Sequence, residues 1–230
     1  PARPFWGTHV IFHIEQYRKA DGQWVNFLSN PADLYRLYAG YVSGINKETG
    51  SELATVTDSI IRGKTTDRAK AEAIYRWVQG NIKYVAFEDG MEGFIPRDAN
   101  LVCHRRFGDC KDMASILTIM LRRAGMKAYY TWIGTRKLPY TYEETPVPLV
   151  DNHMICTLVL DGQHIFLDGT DPSCVFGIPA DHIQGKEALV GIDGSQYKII
   201  PVPVVAREEN VYADTTWMTL EDKLLKGEVK

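Results

Sequence analysis

The sequence has no run near the roughly 18 consecutive apolar residues that mark a membrane-crossing helix, so no membrane span is expected in this chain. Cysteine is scarce. Four residues (Cys103, Cys110, Cys156 and Cys174) in 230 cannot build a disulfide scaffold at this size. They leave room for one disulfide, or for a mostly reduced set with one reactive thiol. No block of like charge occurs, and the formal net charge is -3, which gives no general attraction to nucleic acid. There is no internal repeat, no low-complexity segment and no EF-hand-like loop. Cys103, His104 and Cys110 match no common zinc spacing, so neither a metal nor another cofactor is expected. The chain has no initiator Met, and Pro1–Trp6 has neither a charged n-region nor an apolar h-region. It reads as a piece of something longer, and a missing signal segment therefore says nothing about compartment.

What is present is an ordinary globular balance, 45% hydrophobic and 24% charged, long enough to bury a core without covalent staples. Alternation through His9–Ile14 predicts a strand. Ser29-Asn30-Pro31 predicts a helix start, with Leu34, Leu37, Tyr38 and Tyr41 at helical spacing. A second helix is expected from Glu52 to Ile61. Thr66 caps a third, along which Ala71, Ile74, Trp77, Val78, Ile82 and Val85 share a face. The stretch Phe87–Gly108 then reads as a long, packed functional loop. From Asp109, the positions Met113, Ile116, Leu117, Met120, Leu121 and Ala124 mark the clearest helix, with Gly125 as its stop. A strand at Ala128–Ile133, a Pro-rich loop at 134–152 and a hairpin of His153–Leu160 with Gln163–Asp168 follow. Tyr197–Ile200 and Val202–Val205 read as short β segments, kept at a sheet edge by Pro201 and Pro203.

Cys110 stands in the first turn of the clearest helix, just after Asp109 as its cap. Helix N-termini carry unpaired N–H groups and a positive dipole end, which favour a thiolate and can hold a developing oxyanion. Most free cysteines are small, buried and inert, so position alone decides nothing. The hairpin adds a second observation. If Asp161-Gly162 is a two-residue turn, Leu160 pairs with Gln163, Asp168 falls opposite Ile155, and His153 and Asp168 become diagonal neighbours on one face. Diagonal partners lie about 7 Å apart at Cβ, within reach of a histidine–carboxylate hydrogen bond. A one-residue slip would send them to opposite faces. Cys110, His153 and Asp168 thus fit a nucleophile, a base and an orienting acid.

The string Arg106-Phe107-Gly108-Asp109-Cys110-Lys111-Asp112-Met113-Ala114, with Asn152-His153 opening one strand and Leu167-Asp168-Gly169-Thr170 closing the next, resembles the transglutaminase-like core of bacterial proteins. The resemblance runs from about Thr65 to Ile192. It implies an α+β, papain-like fold in which the cysteine helix packs on an antiparallel sheet, with short N- and C-terminal flanking segments. It also implies Cys110, His153 and Asp168 as a triad acting on peptide or carboxamide bonds of a peptide or protein substrate. The expected division is 1–64 as a flanking strand and helices, 65–195 as the core, and 196–230 as a C-terminal β segment. The branch most resembled places this core between β-rich domains of a longer, often exported protein, which implies flanking domains as partners and a periplasmic or secreted location. Hydrolysis is favoured over transglutamination because no calcium signature is present. A binding or scaffold module that has kept the fold and lost turnover is the other class.

Supporting roles are expected nearby. Asp109, Asn152 and Arg106 are candidates for oxyanion or supporting roles, with Asn100 and Arg105 further possibilities in the same preceding stretch. Trp132, Tyr140 and Tyr142 are candidate walls of the substrate cleft. Cys156 and Met154 fall on the strand face opposite His153 and are read as core.

Overall fold

The computed structural model describes residues 7–86, 89–211, 213 and 215–229. Phe87, the first residue of the expected long loop, lies outside them, as do Pro1–Trp6. A short hairpin, β1 (Gln16–Arg18) and β2 (Trp24–Asn26), precedes two helices, α1 (Pro31–Val42) and α2 (Ser51–Ile61). Helix α1 starts as its sequence predicts: Asn30 caps Asp33 N–H, and Pro31 fills a first-turn position that needs no donor. The expected strand at His9–Ile14 does not form. Its alternating Val10, Phe12 and Ile14 are all exposed, so the pattern has no surface to bury against, and pairing begins only at Gln16.

Helix α3 (Asp67–Asn81) is capped by Thr66 and ends before Val85; residues Lys83–Tyr84 instead form β3. The expected loop to Gly108 carries a 3-10 turn at Gly90–Gly93, a seven-residue helix α4 (Ala99–Arg105) and β4 (Phe107–Gly108), which pairs parallel with β3. Asp98 caps α4 through Asn100 N–H, and Ala99, Val102 and Cys103 are its buried face. Two turns of helix are too short for a periodicity to register.

Helix α5 (Cys110–Arg123) is the centre of the molecule. Its first two-thirds are buried on every side, between α2, α3 and α4 on one flank and the sheet on the other. That sheet is fully antiparallel: β5 (Lys127–Ile133), β6 (His153–Leu160), β7 (Gln163–Leu167), β8 (Glu187–Gly191) and β9 (Tyr197–Pro201), in the order β7-β6-β5-β8-β9. Cys156 and Met154 face the helices, as expected, and Ile133, Ile155, Phe166 and Val190 form a second core on the other face. Strand β9 is at an edge, whereas Val202–Val205 is not a strand: Val202 is buried, and its backbone bonds Lys186 O and Gly185 N–H just before β8. The last hairpin, β10 (Thr216–Glu221) with β11 (Leu224–Val229), is a separate two-stranded ribbon. Leu53 of α2 shares the core of α3 and α5, while Leu34 and Tyr38 of α1 pack with Trp132 and Met154.

Gly108 is a point of close approach just before the cysteine helix. A Cβ there would lie 2.4 Å from Asp112 Cβ and 2.7 Å from its Oδ2. Gly108→Ala is therefore expected to push Asp112 out of the capping box and to cost about 2–3 kcal/mol in urea denaturation. An unchanged midpoint would show that the turn relaxes freely.

Candidate active site

The N-terminus of α5 is held by four buried or half-buried charges. Asp109 accepts from the N–H groups of Lys111 and Asp112, and Asp112 reaches back to Asp109 N–H, completing a capping box. Lys111 Nζ bonds Asp109 Oδ2 at 2.6 Å, and Arg97 bonds Asp112 through both its backbone N–H and its guanidinium, at 2.8 and 2.6 Å. Burial pushes the Asp109 carboxyl up, partly offset by Lys111. These pairs fix the first turn and the direction of Cys110. They also consume the N–H groups of Lys111 and Asp112, which leaves the N–H of Cys110 as the donor of this turn with no acceptor among the described residues.

The hairpin is built as the turn predicts. Asp161 and Gly162 both take positive φ, +51° and +76°, and Leu160 pairs with Gln163 down to Cys156 with Leu167. One step further, the extension places Asp168 across from Ile155. His153 Nε2 then meets Asp168 Oδ2 at 2.7 Å, with both side chains almost fully buried. Cys110 lines the same cleft and lies close enough to this imidazole to favour its protonated form. Since Nε2 is taken by Asp168, Nδ1 is the ring nitrogen available to sulfur.

Asp168 is a hub. Its Oδ1 accepts from the Thr170 N–H and hydroxyl, its Oδ2 also lies 3.2 Å from His182 Nε2, and its carbonyl accepts from Tyr75. Burial alone would raise this carboxyl, but His153, His182 and Thr170 together hold it well below the usual carboxylate range. For His153, burial pulls downward and is outweighed by the bond and charge of Asp168 and by Cys110, which leave it raised to about 10. Both shifts run the same way and favour an imidazolium beside a carboxylate. Among the described residues, His153, Asp168 and His182 are also the one group whose ligand atoms, all within 4.8 Å of one another, have the spacing to hold a metal ion. An ion there would occupy the imidazole that meets Cys110.

The cleft in front of Cys110 encloses about 180 Å³, between Phe94, Pro148 and the stacked pair of Trp132 and Tyr38, whose rings lie 4.9 Å apart and 13° from parallel. Trp132 lines the cleft. Tyr142 is fully buried behind that wall, its hydroxyl near Trp132 O and Asp151, and Tyr140 turns toward His9 at 2.8 Å. Asn152 reaches the cleft, yet its amide is engaged with Thr135 N–H and hydroxyl. The structure places Arg106 elsewhere: it ends α4 with positive φ, stacks on Trp77 and bonds Glu52, so its guanidinium does not face Cys110. Asn100 bonds Gly50 N–H and Glu48 O in the same remote region. The sequence reading omitted His182, Tyr38 and Asp151. Only Asp151 carried a local signal, an acid two residues before the candidate base.

A cysteine at the head of a buried helix, set against an antiparallel sheet whose hairpin supplies a His–Asp pair, defines the papain-like α+β class. Within it, the segment 54–164, which contains Cys110 and His153 and stops short of Asp168, matches the transglutaminase-like superfamily. Among solved structures, a candidate protease from Parabacteroides distasonis matches at 13% identity and a TM-score of 0.58, over 84% of this chain and 36% of that one. A candidate cysteine protease from Cytophaga hutchinsonii matches at 22% identity and 0.40, over 52% and 37%. LapG of Legionella pneumophila matches at 12% identity and 0.40, over 69% and 83%. This chain thus spans little more than a third of the first two. At these identities the first likeness is one of fold. No curated protein matches the sequence. No helix among the described residues is long and apolar enough to cross a membrane.

Proposed function

We propose that Cys110, His153 and Asp168 form a triad that cleaves a peptide or carboxamide bond through a thioester. The observation that carries this reading is the buried His153–Asp168 pair at 2.7 Å, with Cys110 and His153 lining one cleft. Cys110 Sγ attacks the carbonyl carbon, and the oxyanion that forms is met by the Cys110 N–H. The imidazolium of His153 gives its proton to the departing amine as the C–N bond breaks, leaving a thioester and a neutral ring. That ring then takes a proton from water as its oxygen bonds the carbonyl carbon, and the thioester collapses to a carboxylic acid and the Cys110–His153 pair. Asp168 holds the ring and supports its charge throughout. Hydrolysis is favoured because the triad needs nothing but water to complete this cycle. An amine in place of water would give transglutamination with the same residues.

Thiol labelling provides the test. Iodoacetamide at pH 6.5, followed by peptide mapping, is expected to modify Cys110 at least about tenfold faster than the half-buried Cys174 and the buried Cys103 and Cys156. His153→Ala is expected to remove that advantage. A Cys110 no faster than the other three would sink the catalytic reading for this chain and favour a binding module.

A further inference from the structure

Asp151 opens on the cleft beside His153 but is otherwise walled in. Tyr38 of α1 and Tyr142 of the preceding loop approach its two oxygens at 2.7 and 2.6 Å. Among the described residues it has no salt-bridge partner. Lys186, the nearest cation to influence it, spends its ammonium on the carbonyls of Leu138 and Tyr140. The network is also one proton short. Two tyrosine hydroxyls, with one proton each, serve three acceptors: Oδ1, Oδ2 and the carbonyl of Trp132. A proton on Asp151 would complete it.

The other charged groups at this cleft are already matched. Lys111 is bound by Asp109, and His153 is balanced by Asp168. Asp151 is therefore an acid on the cleft that lacks a cation, with two of its four lone-pair directions still free. Next to it stand Trp132 and Tyr38, stacked on one another and both lining the cleft. A carboxylate beside stacked aromatic rings is the usual receptor for an organic cation, which pairs with the acid and lies against the rings.

We propose that Asp151, with Tyr38 and Trp132, binds a positively charged group of the substrate, an ammonium or guanidinium, next to the carbonyl that reacts at Cys110. The proposal rests on the acyl-transfer reading only for what happens at Cys110; the cation site itself is defined by the cleft. Burial moves the Asp151 carboxyl up to about 7, with Tyr142, Tyr38 and Lys186 pulling against it. An arriving cation takes the place of that proton, and a neutral ligand does not.

The test uses the full chain carrying Cys110→Ala, so that its outcome is independent of turnover. Binding of n-butylammonium, n-butylguanidinium and n-butanol is followed by the indole resonance of Trp132. At pH 8 the cations are expected to bind about tenfold or more tightly than the alcohol, the increment of one charge-assisted hydrogen bond. The preference should shrink as the pH is lowered to 5, and Asp151→Asn should abolish it. Binding of both cations assigns the site to a basic side chain of the acyl donor, because the guanidinium cannot be acylated. Binding of the ammonium alone assigns it to an amine acceptor. Equal binding of alcohol and cations at pH 8, or a preference that persists in Asp151→Asn, overturns the proposal. The pH series in the chain with Asp151 intact decides the matter even if that second substitution fails to fold. If instead Cys110 proves inert while the cations bind, acyl transfer fails and the binding site stands.

Discussion

Asp168→Asn is expected to lower stability by about 3–5 kcal/mol and turnover by about 10²–10⁴-fold, the ranges seen when one half of a buried ion pair or one triad acid is removed. The carboxylate accepts from His153, His182 and both donors of Thr170. An amide keeps one acceptor and points two hydrogens at groups that are themselves donors. His153 would then be left with burial, which pushes its protonation downward, and without the charge that now holds it near 10. The sign of the pH dependence follows. A histidine raised from its unfolded value of about 6.5 stabilises the fold fully below that pH, and its contribution disappears as pH rises through about 10. The parent protein should lose stability between those limits, and Asp168→Asn should lack that loss. Removing the stranded ring as well, in Asp168→Asn with His153→Gln, should recover part of the deficit. Urea midpoints from pH 6 to 10 measure all three chains. A single substitution that costs less than 1 kcal/mol would mean that His153 is not charged in the folded protein.

Asp151→Asn should act in the opposite direction on stability. In the unfolded chain this carboxyl titrates near 4, and in the folded protein at about 7. Between those values the folded state binds the extra proton, so stability falls with rising pH and the cost reaches its full size above about 7.5. That cost is at most about 4 kcal/mol, and water in the cleft reduces it. Asparagine can still accept from one tyrosine and donate to the other without carrying a charge. The variant is expected to melt with the parent near pH 4 and above it at pH 8. A variant less stable at both would show that the carboxylate is a structural tie between α1 and the 134–152 loop. A destabilising group retained on a reaction cleft is the pattern expected where function opposes stability.

The parts of the molecule legible in the sequence are those fixed by local rules. The cap and stripe of α5, the Pro31 start of α1 and the Asp161-Gly162 turn each depend on a few adjacent residues, and the turn carried the register that brings His153 to Asp168. What was illegible depended on distant partners. The alternation at His9–Ile14 lacked a strand to join, and α4 was too short to show a period. His182 meets Asp168 only because the chain after β7 passes beneath the sheet toward Ile183 in the second core. Arg106 looked well placed beside the cysteine motif, but the left-handed residue it occupies swings its side chain onto Trp77. Tyr38 and Asp151 meet across more than a hundred residues, and no spacing rule reaches that far.

The hairpin has a further consequence for how the site assembles in time. His153 and Asp168 belong to one hairpin and are close in sequence, whereas the sulfur joins them only when α5 packs on the sheet. During synthesis the thiol leaves the ribosome well before its histidine does. On the proposed triad, the growing chain therefore carries a cysteine without its base, and activation is expected only once β5–β7 have packed on the helix.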